Sequence, residues 1–246
     1  MPLIEVSYTP ENFEVYDTKD SIVVVNDIFR ATSAMCTAFE HGAKSMIPVD
    51  TIEKARALQA KGFLAGAERN AVKVDGFDFG NSPYDYMGGD IKGKTLVLTT
   101  TNGTRAIEMA KGVSDKIVIG SFLNISALSK WLVKQKKNVL ILCSGWKGRI
   151  NIEDSLFAGA LTKELIQDGA YSLEHEVEDS ALIAMYLFEG AQKDPEKLLK
   201  ISSHRRRLAN LNLKRDIKYC LSINKTTKIP ILIGDELVDL ETTKFK

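Results

Sequence analysis

The chain has 246 residues, 44% of them hydrophobic and 26% charged, which suits a globular protein able to bury a large core. Lys plus Arg is 33 and Asp plus Glu is 32, so no global field draws it to nucleic acid or to an anionic membrane. The longest apolar run, Ala181 to Phe188, is far short of the roughly 20 residues a membrane span needs. The first residues, Met1-Pro2-Leu3-Ile4-Glu5, show no basic region leading into a long apolar stretch, so no secretory signal is expected.

The three cysteines, Cys36, Cys143 and Cys220, are too few and too widely spaced for a disulfide framework or a zinc knuckle. A cytoplasmic location is expected. The three histidines, His41, His175 and His204, adjoin none of the motifs below, which argues against histidine chemistry.

In chain order, Ser21 to Asn26 is a β-branched run of the kind buried on both faces of a covered parallel sheet. Ala31 to Glu40 reads as a helix closed by Gly42. Lys44 to Val49 reads as a strand, Ile52 to Ala60 as a helix capped by Asp50 or Thr51, and Phe63 to Ala65 as a short strand. Gly66 to Gly93 is rich in glycine and breaks the alternation; a long irregular segment inside a compact chain points to function.

The alternation then resumes. Strands are expected at Thr95 to Thr100, Lys116 to Ile119 and Asn138 to Cys143, and helices at Thr104 to Lys111, Ile125 to Lys136 and Glu153 to Gln167. Helices at Val177 to Gln192, Pro195 to Ile201 and Leu213 to Leu221 precede a late strand, Lys228 to Ile233. This is an α/β fold with a largely parallel or mixed sheet sandwiched by helices. Residues 1–246 read as one unit, with a division into two α/β subdomains near residue 120 as the alternative.

Ligands of open parallel sheets bind beyond the carboxyl ends of the strands. Four polar clusters stand there. Asp27-Ile28-Phe29-Arg30-Ala31-Thr32-Ser33 offers a carboxylate, a guanidinium and helix N-terminal amides, although a helix cap with an exposed arginine explains it as well. Phe29 stands where a haloacid-dehalogenase phosphatase would carry its second aspartate. Glu68-Arg69, with Gly76 to Pro83 including Asn81 and Ser82, adds a second acid and arginine on what would otherwise be a surface loop.

Thr99 to Arg105, with Thr101, Asn102, Gly103 and Thr104, combines hydroxyls, a tight turn and an arginine, without the Gly-Lys-Ser/Thr of a Walker A loop. Cys143 to Arg149, with Ser144 and Gly145, opens the fourth cluster, which leads to Glu153-Asp154 in the first turn of a helix, where dipole complementarity alone could place them or a metal site could use one. Together, Arg30, Arg69 and Arg105 beside Asp27, Glu68 and Asp154 suit a multiply anionic ester plus a hard cation.

Asp27 to Ser33, Glu68-Arg69, Gly76 to Pro83, Thr99 to Ile107, Gly120 to Asn124 and Glu153-Asp154 with Ala158-Gly159 resemble the motif set of the 2-phosphosulfolactate phosphatases. Ala67 is one departure, where glycine is expected before the Glu-Arg pair. Arg207-Leu208 and Asp216 extend the resemblance. It implies an α/β fold peculiar to that family, a homodimer, and magnesium-dependent hydrolysis of a small phosphate ester, 2-phosphosulfolactate, in the coenzyme M route.

On that reading Asp27, Arg30, Glu68, Arg69 and Arg105 are the catalytic candidates. Thr32, Asn81, Ser82, Thr101, Asn102, Gly103, Thr104, Ser144 and Gly145 are the substrate-binding candidates. Asp27, Glu68 and Asp154 are the candidate ligands of Mg2+.

Two other readings compete. Cys143 and Arg149 have the Cys-x5-Arg spacing of metal-independent cysteine phosphatases, but Ile150 lacks the hydroxyl expected after the arginine. A non-catalytic binder of anionic metabolites would use the same charges without turnover. The basic run His204-Arg205-Arg206-Arg207 is either a solvated helix face or the source of one arginine for a second anionic group on the substrate.

Overall fold

The computed structural model describes residues 2–114, 116–169, 171–208, 211 and 213–243, with the side chains of Arg205, Arg207 and Leu208 outside that description. Its strands are β1 (Ile4–Ser7), β2 (Ser21–Asn26), β3 (Ser45–Pro48), β4 (Leu64–Arg69), β5 (Val72–Lys73), β6 (Thr95–Thr99), β7 (Ile117–Gly120), β8 (Asn138–Cys143), β9 (Pro230–Ile233) and β10 (Glu236–Asp239). Its α-helices are α1 (Ala31–Glu40), α2 (Ile52–Gln59), α3 (Gly103–Lys111), α4 (Ile125–Gln135), α5 (Ile152–Gln167), α6 (Asp179–Ala191), α7 (Pro195–Lys200), α8 (Ser203–Leu208) and α9 (Lys214–Cys220).

The strands form one mixed, largely parallel sheet in the order β1-β8-β2-β7-β9-β10-β3-β6-β4-β5. The α/β architecture expected from the sequence is the one observed. β1, β8, β2 and β7 run parallel, as do β3, β6 and β4. The antiparallel hairpin β9–β10 joins these two wings, pairing with β7 on one side and β3 on the other. The wings therefore point in opposite directions.

Both faces of the first wing are covered. Ile22 and Val24 of β2 enter one core with Val139 and Ile141 of β8 and residues of α4, α5 and α6. Val23 and Val25 enter another with Met46 of β3, Leu96 and Leu98 of β6, and Ala34, Met35 and Ala38 of α1. A strand whose alternate residues both meet apolar neighbours has no polar face to show, which is why Ser21–Asn26 reads as a continuous apolar run.

Helix α1 lies between the wings with Ala31 to Phe39 all buried. Its small residues, Ala31, Ser33, Ala34, Cys36 and Ala38, let the sheet close on it. Outside the first wing, α5 and α6 approach backbone to backbone. A Cβ on Gly159 would stand 1.9 Å from the Ala184 carbonyl oxygen, so only glycine fits there.

The irregular segment after Gly66 needs correction. β4 does not stop at Ala65; it runs to Arg69 and turns back through a hairpin to β5. Asn70 and Ala71, at φ 52° and 66°, make the two-residue turn, the conformation that matches strand twist in tight hairpins. Short 3-10 turns follow at Pro83–Tyr86 and Gly89–Ile91.

Candidate active site

Five strand pairings separate β2 from β6, and twist of roughly 20–25° per pairing accumulates to on the order of 100–125°. The loops after β2 and β8 and those after β4 and β6 meet at one pocket of about 160 Å³. Asp27, Arg30, Glu68, Asn81, Thr101 and Asn102 of the expected set line it, together with Phe29, Asn70, Ala71, Trp146, His204 and Leu211.

Asp27 leaves the end of β2, where Thr32 closes a tight turn. The Asp27 amide donates to Thr32 Oγ1 at 3.1 Å, and the Thr32 hydroxyl donates back to the Asp27 carbonyl at 3.0 Å. Burial pushes the Asp27 carboxyl up to about 6. His204 opposes the rise, Glu68 and Glu153 add to it, and the Ala31 amide opposes it. Gly103, at the start of α3, packs directly on this carboxylate: a Cβ there would lie 2.9 Å from Asp27 Oδ2 and 2.6 Å from the Ala31 Cβ.

Glu68 is the penultimate residue of β4 and is only 5% exposed. Its carboxylate accepts from the Ala71 amide, from the Thr101 amide at 3.1 Å and from the Thr101 hydroxyl at 3.2 Å. Arg30 is held at both terminal nitrogens. Nη1 donates to Asp216 Oδ2 at 2.7 Å and Nη2 to the Ala71 carbonyl at 2.7 Å. Ser82 donates to the other Asp216 oxygen at 3.0 Å, so its hydroxyl supports the arginine's partner. The hairpin turn at Ala71 thus binds Glu68 by its amide and Arg30 by its carbonyl.

The remaining expected residues stand elsewhere. Arg69 donates to the carbonyls of Glu68 and Asp50 and to Thr99 Oγ1, outside the pocket wall. Arg105 pairs with Glu11 at 2.8 Å on a half-exposed surface. Thr104 is cross-bonded with Thr100 at the start of α3. Ser144 Oγ is buried without a hydrogen-bond partner among the described residues.

Asp154 is fully buried behind the pocket. Its oxygens accept from the Ile28 amide at 2.9 Å, the Gly145 amide at 3.1 Å and Asn151 Nδ2 at 2.8 Å. Burial first, then Asp27 and Glu153, pushes its carboxyl well above the usual range. It ties the loops after β2 and β8 together.

Three placements differ from what spacing suggested. His204 is in the pocket wall and only 8% exposed, against the expectation that no histidine adjoins the motifs. Its Nδ1 meets Oε1 of Glu153, which is fully buried rather than merely complementing a helix dipole. Asp216, from α9, anchors Arg30. No local pattern marks these partners; only the histidine and acids themselves were visible.

The Cys-x5-Arg loop is not assembled for catalysis. Cys143 Sγ lies in the apolar core, 3.6 Å from Asn26 Nδ2, and burial pushes its thiol well above the usual range. Arg149 is exposed and outside the pocket wall. In the basic run, Arg206 is exposed and donates to the Ile201 carbonyl at 2.5 Å; the Arg205 and Arg207 side chains lie outside the described residues.

The family model described as 2-phosphosulpholactate phosphatase matches residues 7–235. A Thermotoga petrophila protein named "Probable 2-phosphosulfolactate phosphatase" is 42% identical over 211 residues, 86% of this chain and 88% of its own. Identically named proteins from Caldanaerobacter subterraneus subsp. tengcongensis and Clostridium acetobutylicum are 36% and 34% identical, over 88% and 96% of this chain and 89% and 99% of theirs. With a family match across nearly the whole chain and relatives covered almost end to end, the chain belongs to the 2-phosphosulfolactate phosphatase family.

Proposed function

We propose that the protein hydrolyses the phosphate ester of a short, multiply anionic acid, 2-phosphosulfolactate foremost, with a magnesium ion held by Asp27 and Glu68. The observation that carries this reading is the pair of carboxylates on one pocket with the anchored guanidinium of Arg30. The relatives' name supplies the substrate.

The donor set fits a hard cation. Asp27 and Glu68 face one pocket, and the charge of Glu68 helps raise the Asp27 carboxyl, a repulsion that a divalent ion removes. No group of three or more His, Cys, Asp or Glu side chains is set to hold a metal among the described residues. Magnesium needs only one or two carboxylates when waters and substrate phosphate complete its octahedron. When bound, the ion neutralises developing charge on the phosphoryl oxygens.

The protein's own residues do the rest. Arg30, fixed by Asp216 and Ala71, meets an anion without reorganising. Thr101, Asn81 and Asn102 bring further hydrogen-bonding groups to the pocket. Asn81 Oδ1 is buried without a partner among the described residues, which suits a polar group that a ligand completes. Three buried free thiols favour a reducing compartment such as the cytoplasm. Among the described residues, no helix is long and apolar enough to cross a membrane. The family resemblance supports a homodimer, which sedimentation would check.

The test is phosphate release from 2-phosphosulfolactate and a panel of short phosphorylated acids, with magnesium and with a chelator. Turnover that stops with chelator and returns with magnesium supports the reading. Tight binding without phosphate release would establish a binding protein instead.

A further inference from the structure

His204 has no role in the reading above, yet it lines the same pocket as Asp27 and Arg30. It reaches that wall from α8, and its ring leans against Phe29 with centroids 6.3 Å apart. Nδ1 is engaged by Glu153 from the first turn of α5. Among the described residues Nε2 has no hydrogen-bond partner, so it is the ring nitrogen left to meet a ligand.

Carboxyl groups stand around the ring. Glu153 is fully buried, and its second oxygen, Oε2, has no hydrogen-bond partner among the described residues. A carboxyl group buried this way needs a hydrogen-bond partner, and His204 Nδ1 supplies one at Oε1. Asp27, from the loop after β2, lines the same wall with Glu68 and Arg30. Such a carboxylate–histidine pair fixes the ring's orientation and leaves Nε2 as the nitrogen through which the imidazolium form gives up its proton.

We propose that His204 is the general acid for the leaving alcohol, with Glu153 as its positioning residue. This rests on the phosphate-ester reading and assigns it a proton source. The bond between phosphorus and the ester oxygen breaks, and its electron pair stays on that oxygen. The oxygen takes the Nε2 proton and departs as the alcohol. The phosphoryl group passes to a water oxygen, whose released proton goes to solvent, and His204 is reprotonated from solvent. An alkoxide is a poor leaving group, so this proton matters most for an alkyl ester.

The test compares 2-phosphosulfolactate with 4-nitrophenyl phosphate, whose phenolate leaves as a stable anion. His204→Asn keeps an amide donor where Nδ1 stood but delivers no proton, and its fold is checked by thermal melting beside His204→Ala. The expected loss in kcat is roughly 100- to 1,000-fold on the alkyl ester and under about fivefold on the aryl ester. Glu153→Gln should show the same selectivity, with a smaller loss and little change in KM.

Equal losses on both esters, or full turnover of the alkyl ester by a folded His204→Asn, would overturn the general acid. A wild-type protein that releases phosphate from neither ester would overturn the phosphatase reading and this inference with it.

Discussion

Arg30 and Asp216, 186 positions apart in the chain, form a 2.7 Å ion pair with both side chains buried. The pair connects the loop after β2 to α9 and holds the pocket's guanidinium in place. Removing one partner strands the other charge, so Asp216→Ala should lose about 3–5 kcal/mol and about 10 °C in Tm. The double variant Arg30→Met/Asp216→Leu should recover stability without recovering turnover. A fully active double variant would remove Arg30 from the substrate site.

The Asp27 carboxyl rises from 3.8 to about 6 in the folded protein, so folding favours its protonated form. Its stabilising contribution is complete below about pH 3.8 and is lost as pH rises through about 6. In chelator, Asp27→Asn should match wild type near the acid end and exceed it above pH 6 by about 3 kcal/mol. The same substitution should abolish nearly all turnover. Melts across pH check the first statement, and a pH-independent difference would contradict it.

Magnesium should stabilise the folded protein, because it relieves the repulsion between Asp27 and Glu68. At 100 times its dissociation constant the gain is about 2.7 kcal/mol. Glu68→Gln should need a higher magnesium concentration for the same shift. Melting curves during a titration after dialysis against chelator give this directly; an identical titration in the variant would move the ion elsewhere.

Gly103→Ala places a methyl against Ala31 and the Asp27 carboxylate. Helix α3 must then shift off α1, at about 1–3 kcal/mol, and turnover should fall at least about tenfold. Gly159→Ala is the contrasting case. It also overfills a close approach, but between α5 and α6, so the folded fraction should keep its kcat. Comparing kcat per folded molecule separates the two effects.

Cys143→Ser should retain most activity, and Arg149→Ala should match wild type. The thiol lies in the core and the arginine lies outside the pocket. A dead Cys143→Ser enzyme that melts normally and resists chelator would restore the cysteine mechanism.

Much of the architecture was legible in the sequence because it is encoded locally. The continuous run Ser21–Asn26 follows from burial on both faces, and the strand Asn138–Cys143 and helix Ala31–Glu40 stand where their patterns place them. β1 and β10 escaped that reading although signals existed: Ile4 and Val6 alternate with polar neighbours, and Gly234-Asp235 is a hairpin turn between Ile233 and Glu236.

The clusters after the strands were also visible, since Asp27, Glu68 and Thr101 occupy ends that the α/β pattern marks. Their partners were not. Arg69 and Arg105 looked equivalent to Arg30, but the first bonds its own sheet edge and the second pairs with Glu11. His204 reads as part of a basic run, and Asp216 is marked by the family resemblance without a partner; the fold brings them against Glu153 and Arg30. Local periodicity records only whether a residue is buried and on which face. Which charges meet depends on how the hairpin β9–β10 joins the two wings and on the pocket their loops share, and both arise from pairing between distant strands.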